Sequence, residues 1–375
     1  MKKAFKVLTL FDIPVEINYT WFIVFGLVIF TLAGGYFPQT DPGLNYPSYL
    51  MMAVVSSLLL FTSLLAHEFA HSVVAMRNDL PIHGITLFIF GGIAHLEKEP
   101  ETPWVEFKMA IAGPLMSFGL GFFFFFLTQL LLRYHVPNYI VSMTNYLFIV
   151  NLAVGLFNLV PGFPLDGGRV LRSVLWKIMG NLSRATRIAS GIGRVLAFVI
   201  MAYGFFLVFA GLFLNGLWFI FIGYFVQESA EASYRQVLMR RFLSGIMAKN
   251  IMSKELITVP PTLAVDRLVN DYFLKLRYIS FPVIEDDNLL GIVTVHLIKE
   301  LPQDKWPQYS VRDVMIPISD ALVIESDAQI MECLNKMTNN EFGRLLVVEG
   351  EKLVGIISQR DILRLLDFRS KIEKS

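Results

Sequence analysis

The chain has little cysteine, little charge, and no excess of charge of either sign. Its single cysteine, Cys333, cannot close an intrachain disulfide or build a cysteine cage, so any zinc must be held by His, Asp or Glu. Lys plus Arg number 32 and Asp plus Glu 31, a net charge of +1 that argues against nucleic acid as the main partner. Charged residues are only 17% of the 375 and hydrophobic ones 55%, with a mean hydropathy of +0.57. A soluble protein of this length could not bury so much apolar surface, so most of it belongs in a lipid bilayer. Asp12 and Glu16 fall where the apolar core of a signal peptide would sit, so no cleaved signal is expected.

What is present is a series of charge-free runs. Residues 17–40 predict a first span over about 19–36, interrupted late by Gly34-Gly35, with turn residues over 38–49. A second span is expected over 50–76, a third between Lys108 and Arg133, and a fourth over 139–159. Residues 195–226 can hold two more, hinged near Asn215-Gly216. Residues 84–96, rich in β-branched and aromatic side chains around Gly91-Gly92, predict a hairpin. Open strand edges are not tolerated in hydrocarbon, so that hairpin must lie against protein or at the interface. Lys and Arg concentrate in 1–18, 77–108 and 166–194, which places both termini in the cytosol of a six-span integral membrane protein.

From about Gln227 the composition becomes that of a soluble domain with an internal repeat. Residues 248–252 match 311–315, and 281–294 match 345–358. The expected fold class is thus a polytopic α-helical membrane domain (1–226) with a membrane-associated β-hairpin. A linker helix (227–245) and two α/β units (246–302 and 309–368) complete it.

The second span carries the chemistry. His67-Glu68-Phe69-Ala70-His71 puts two imidazoles four residues apart, on one face of a helix, where they can grip one metal ion. Glu68 beside them is placed to take a proton from water. Ionisable residues inside a run of 27 otherwise apolar residues are costly and therefore functional candidates. A third ligand is needed. Asp166, the only charge between Arg133 and Arg169, lies in the glycine- and proline-broken stretch 160–168 and is the preferred ligand, although it could instead cap the next helix. His83 and His95 on the hairpin are rivals. Gly113-Pro114 in the third span is either a kink or a point of close approach to the motif helix.

These residues resemble the site-2 protease family of intramembrane zinc metalloproteases. His67-Glu68-Phe69-Ala70-His71 and Asn158-Leu159-Val160-Pro161-Gly162-Phe163-Pro164-Leu165-Asp166-Gly167-Gly168 match its two signatures over a resemblance covering residues 10–226. The resemblance implies one zinc per chain on His67, His71 and Asp166, with Glu68 as general base. Asn158 would hydrogen-bond substrate or oxyanion, or only cap a helix. The substrate would be a transmembrane protein within the bilayer. The repeat resembles a pair of CBS domains, which implies ATP, ADP or AMP as ligand and a homodimer through the pair. Ser358 and Asp361 keep that family's ribose-phosphate signature, whereas the first copy keeps Thr294 but has Leu297 in the acidic position. The pair would therefore bind one nucleotide per chain or serve only to dimerise. A CBS-regulated transporter and an inactive scaffold are the alternatives to a protease.

Overall fold

The computed structural model describes residues 4–89, 91–96, 99–299, 301–340 and 343–372. Residues 1–3, and Phe90, Glu97 and Lys98 of the expected hairpin and its loop, lie outside the described residues. The chain forms two compact units, residues 1–237 and 238–375.

In the first unit five helices among the described residues are long and apolar enough to cross a membrane: α1 (Trp21–Thr40), α2 (Tyr46–Met76), α3 (Pro103–Arg133), α4 (Asn138–Asn158) and α6 (Leu182–Phe209). A shorter helix, α5 (Asp166–Met179), precedes α6, and α7 (Phe213–Leu243) follows it. In lipid each segment must satisfy its own backbone, so charge-free runs become helices. Their starts are set by local chemistry. Asn45 caps α2 by accepting a hydrogen bond from the Ser48 N–H at 3.0 Å, and Thr102 caps α3 through the Val105 N–H at 3.4 Å. α2 is the central helix. Tyr49, Met52 and Ala53 pack on Leu32 and Phe37 of α1, while Leu60 meets Phe124 of α3 and Leu147 of α4.

Several boundaries differ from those read in the sequence. Gly34-Gly35 does not end α1: residues 32–36 form a π-helical turn, and the helix runs on to Thr40. The hinge after α6 falls at 210–212, with Gly211 at φ +85°, so Asn215-Gly216 lies inside α7. Gly211 meets the left-handed backbone the turn requires, which Asn215 and Gly216 within a helix do not. Arg184, Arg187 and Arg194, read as part of a connecting segment, belong to α6.

Strands β1 (Ala4–Leu10), β2 (Ile13–Asn18), β3 (Ile82–Phe88) and β4 (Gly91–Leu96) form one sheet in the order β1-β2-β3-β4. β3 and β4 are antiparallel, and β2 lies parallel to β3 with Val15 opposite Ile85. The sequence reading assigns no element to residues 4–18. Ile13 and Val15 are buried against the sheet's partners, while Phe5, Val7 and Phe11 stay exposed, so their alternation had only half a core to signal it. The ring of Phe11 nevertheless lies 5.5 Å from that of Phe69, within the His-Glu-x-x-His segment.

The second unit contains two three-stranded sheets. One is β5 (Ser280–Glu285), β6 (Asn288–Thr294) and β7 (Ile316–Pro317); the other is β8 (Val323–Glu325), β9 (Arg344–Glu349) and β10 (Lys352–Ser358). Helices α8 (Val295–Lys299), α9 (Ile330–Asn339) and α10 (Gln359–Ile372) accompany them. The two sequence copies exchange their leading segments. Ala248 and Lys249 hydrogen-bond to Ala328 and Ser326 of the second copy, and Val311 and Arg312 to Leu263 and Pro261 of the first. Ile246 and Ala248 thus share a core with Cys333 and Leu345, and Val311 shares one with Val259 and Phe281. Neither copy closes a core without the other.

Candidate metal centre and active site

His67 and His71 are buried on the face of α2 turned toward α3 and α5. Their Nδ1 atoms are engaged by α3: His71 Nδ1 donates to the Met109 carbonyl at 2.6 Å, and His67 Nδ1 lies 2.8 Å from Ser117 Oγ. Both Nε2 atoms are therefore left to converge, 3.3 Å apart. Asp166 completes the group, its Oδ2 3.1 Å from each Nε2. Among the described residues this is the one cluster of three His, Cys, Asp or Glu side chains that could hold a metal ion. Tetrahedral zinc with ligands at about 2.0–2.1 Å has donor–donor edges of about 3.3 Å, so the triangle matches that ion in size and donor type. The hydrogen bonds to Nδ1 are the outer partners that fix ring orientation in such sites.

Asp166 is the first residue of α5. The N-cap position is Leu165, and no side chain caps the helix. The capping alternative thus gives way to a carboxylate turned toward the histidines. His83 lies on β3, exposed, outside the cluster, and the side chain of His95 lies outside the described residues. Gly113 resolves the question raised by Gly113-Pro114. A Cβ there would fall within 2.5 Å of Nε2 of both histidines, so only a glycine lets α3 come this close. Pro114 lies within α3, which continues past it to Arg133.

Glu68 borders the same cavity, ≈ 580 Å³ in volume and walled by α2, the β3–β4 hairpin, the end of α4, the start of α5, and α7. β4 passes directly over Glu68: a Cβ on Gly92 would overlap the Glu68 side chain and sit 3.1 Å from its Cδ. Asn158, the last residue of α4, also lines this cavity. From α7, Trp218 and Phe225 add apolar walls. The sequence reading did not find Ser117, Met109 or the wall supplied by α7. A serine or methionine within an apolar run carries no sign of what faces it.

In the second unit a cavity of ≈ 630 Å³ opens between the two copies. Ser358 and Asp361 line it, with Arg344 and Arg364. The Ser358 N–H and Oγ–H both donate to Asp361 Oδ2, at 2.9 and 2.6 Å, the geometry of a capping box at the start of α10. Burial lowers the pKa of the Arg344 guanidinium, an effect Asp361 opposes and Arg360 reinforces. Thr294 is buried at the end of β6, opposite Ser280, and does not line this cavity.

A helical membrane unit with two histidines and a carboxylate converging beside a glutamate defines a membrane metalloprotease. Comparisons agree. The peptidase family M50 model matches residues 55–145 and 135–203, and the CBS domain model matches 248–302 and 311–367. A Synechocystis protein, sll0528, provisionally named a zinc metalloprotease, is 34% identical over 373 residues, covering 98% of this chain and 96% of its own. Zinc metalloprotease MJ0392 of Methanocaldococcus jannaschii is 34% identical over 366 residues, covering 98% and 97%. The solved site-2 protease of the same organism is 30% identical, with a TM-score of 0.42, over 62% of this chain and 95% of its own. The chain belongs to peptidase family M50, the site-2 proteases, and carries a CBS domain pair.

Proposed function

We propose that this chain cuts peptide bonds in or near transmembrane segments of other membrane proteins. One zinc per chain would be held by His67, His71 and Asp166, and Glu68 would serve as general base. The observation that carries this reading is the triangle of donor atoms with edges of 3.1, 3.1 and 3.3 Å beside a partly buried glutamate. Bound there, zinc would polarise the scissile carbonyl and make water nucleophilic near neutral pH. Glu68 takes the proton of the attacking water and returns it to the leaving amine. The apolar walls from α7 and the hairpin exclude bulk water, and Asn158 offers an amide to the substrate backbone. A helical substrate hides its peptide bonds, so it must first unwind. β4, whose outer side faces no further strand among the described residues, supports capture of an extended segment by strand addition. Six spans with both termini in the cytosol fit the five candidate spans plus the charge-free 213–226 stretch of α7.

The test is co-expression with candidate single-span proteins. Glu68→Gln is expected to abolish cleavage while keeping about one zinc per chain, whereas His67→Ala, His71→Ala and Asp166→Ala each lower zinc content. Full zinc and full activity in Asp166→Ala would remove it from the ligand set, and a wild-type chain that holds zinc yet cuts nothing would leave a scaffold.

We further propose that the CBS pair binds one adenine nucleotide per chain in the cavity bordered by Ser358 and Asp361, dimerises, and modulates cleavage. Leu297 in place of an acid, and Thr294 outside the cavity, support one site over two. Calorimetry on the full chain with ATP, ADP and AMP should give a stoichiometry near one, lost in Asp361→Ala. No binding at millimolar nucleotide would leave the pair as a dimerisation module.

A further inference from the structure

α5 carries two arginines one turn apart, Arg169 and Arg172, in contrasting surroundings. Arg172 is buried and paired with a carboxylate. Its Nε donates to Glu106 Oε1 at 2.6 Å, its Nη2 pairs with the same carboxylate, and its guanidinium lies 5.0 Å above the Phe163 ring. Arg169 has no carboxylate partner among the described residues. Among the described residues its one hydrogen bond is from Nη2 to Met109 Sδ at 4.0 Å, and a thioether is a weak acceptor. Arg169 stands three residues after Asp166, hence on the same face of α5, and lines the catalytic cavity with Glu68, His67 and His71. It is the one lysine or arginine among the described residues lining that cavity. The methionine it rests on is the residue whose carbonyl holds His71. The neighbouring Arg172–Glu106 pair ties α5 to α3 and so holds Arg169 at this place.

On the proposed peptide hydrolysis, charge develops on the scissile carbonyl oxygen, and a donor beside the metal adds to its stabilisation. As the water oxygen bonds to the carbonyl carbon, its proton passes to Glu68 and the C=O electron pair moves onto the carbonyl oxygen. When the C–N bond then breaks, Glu68 delivers that proton to the leaving amine. We propose that Arg169 is a catalytic residue whose guanidinium binds the scissile carbonyl oxygen and stabilises the charge that develops on it. Donors poised for developing charge act most strongly in a site from which bulk water is excluded.

The test uses the full chain loaded with zinc in detergent. The probes are a quenched fluorogenic apolar peptide and a peptide phosphinate, whose second oxygen imitates the developing oxyanion. Arg169→Ala should keep the zinc content and KM of the wild type, lose about 100-fold in kcat, and bind the phosphinate weaker by a similar factor. Added guanidinium should restore part of kcat, which it could not do for a merely structural arginine. Unchanged phosphinate affinity in Arg169→Ala overturns the proposal, even if the peptide is cut too slowly to follow. So does a loss of kcat explained by zinc loss, or by a shifted acid limb of the pH profile that places the effect on Glu68.

Discussion

Nδ1 of each histidine of the cluster faces a different kind of group on α3, a backbone carbonyl for His71 and a hydroxyl for His67. The carbonyl of Met109 can only accept, so His71 must carry its proton on Nδ1, which leaves Nε2 bare for a metal. Ser117 can donate or accept, so its hold on the tautomer of His67 is looser, and removing it frees the ring. Ser117→Ala is expected to weaken zinc binding by about 10–100-fold with the fold retained, measured by competition against a chelator. Gly113→Ala should be more severe, since its Cβ would occupy the space of the Nε2 atoms, and both zinc and cleavage should be lost. Wild-type affinity in either variant would break the link between α3 and the site.

Among the elements, the sheet changes the substrate argument most. Residues 4–18 add two strands to the hairpin, so β3 is flanked by β2 and β4 and has no free side. The edge next to Glu68 is β4, where Ile93 is 47% exposed. Proline removes a backbone donor and cannot join a ladder at a paired position. Ile93→Pro is therefore expected to slow cleavage of a membrane substrate several-fold while leaving zinc content unchanged. Substrates with helix-breaking residues near the cut should be cleaved faster than stable helices by the wild type. If Ile93→Pro cuts at the wild-type rate, strand addition at β4 is not how substrate is held.

Across the whole molecule, the second unit is held by exchange between its two copies, and Cys333 lies in one of the shared cores with no exposure. Burial pushes its thiol pKa up from 9.0 to about 11. Only a thiolate reacts with alkylating reagents, so at pH 8 the folded chain should label far more slowly than the unfolded one. An unfolded thiol ionises near 9.0 while the buried one does not until about 11, so this group lowers stability as pH rises through that window and is neutral below it. With no other cysteine in the chain, the labelling rate reports opening of the pair directly. Prompt labelling of the folded chain would mean that the second core does not close.

The membrane helices, the histidine pair and Asp166 were legible in the sequence because their signals are local. A charge-free run long enough for lipid must satisfy its own backbone, four-residue spacing aligns two rings, and a lone carboxylate in such a run stands out. The boundaries drifted where composition is uniform, as between α6 and α7. The partners of the histidines, the strands at 4–18, the exchange between the repeats and the contrasting surroundings of Arg169 and Arg172 were not legible. Each depends on which distant segment comes within a few ångströms. Ser117 lies 50 residues from His67, and Glu106 lies 66 from Arg172. Serine, methionine and arginine look the same in the sequence whether they meet a ligand, a carboxylate or nothing, and only packing in three dimensions assigns them a neighbour.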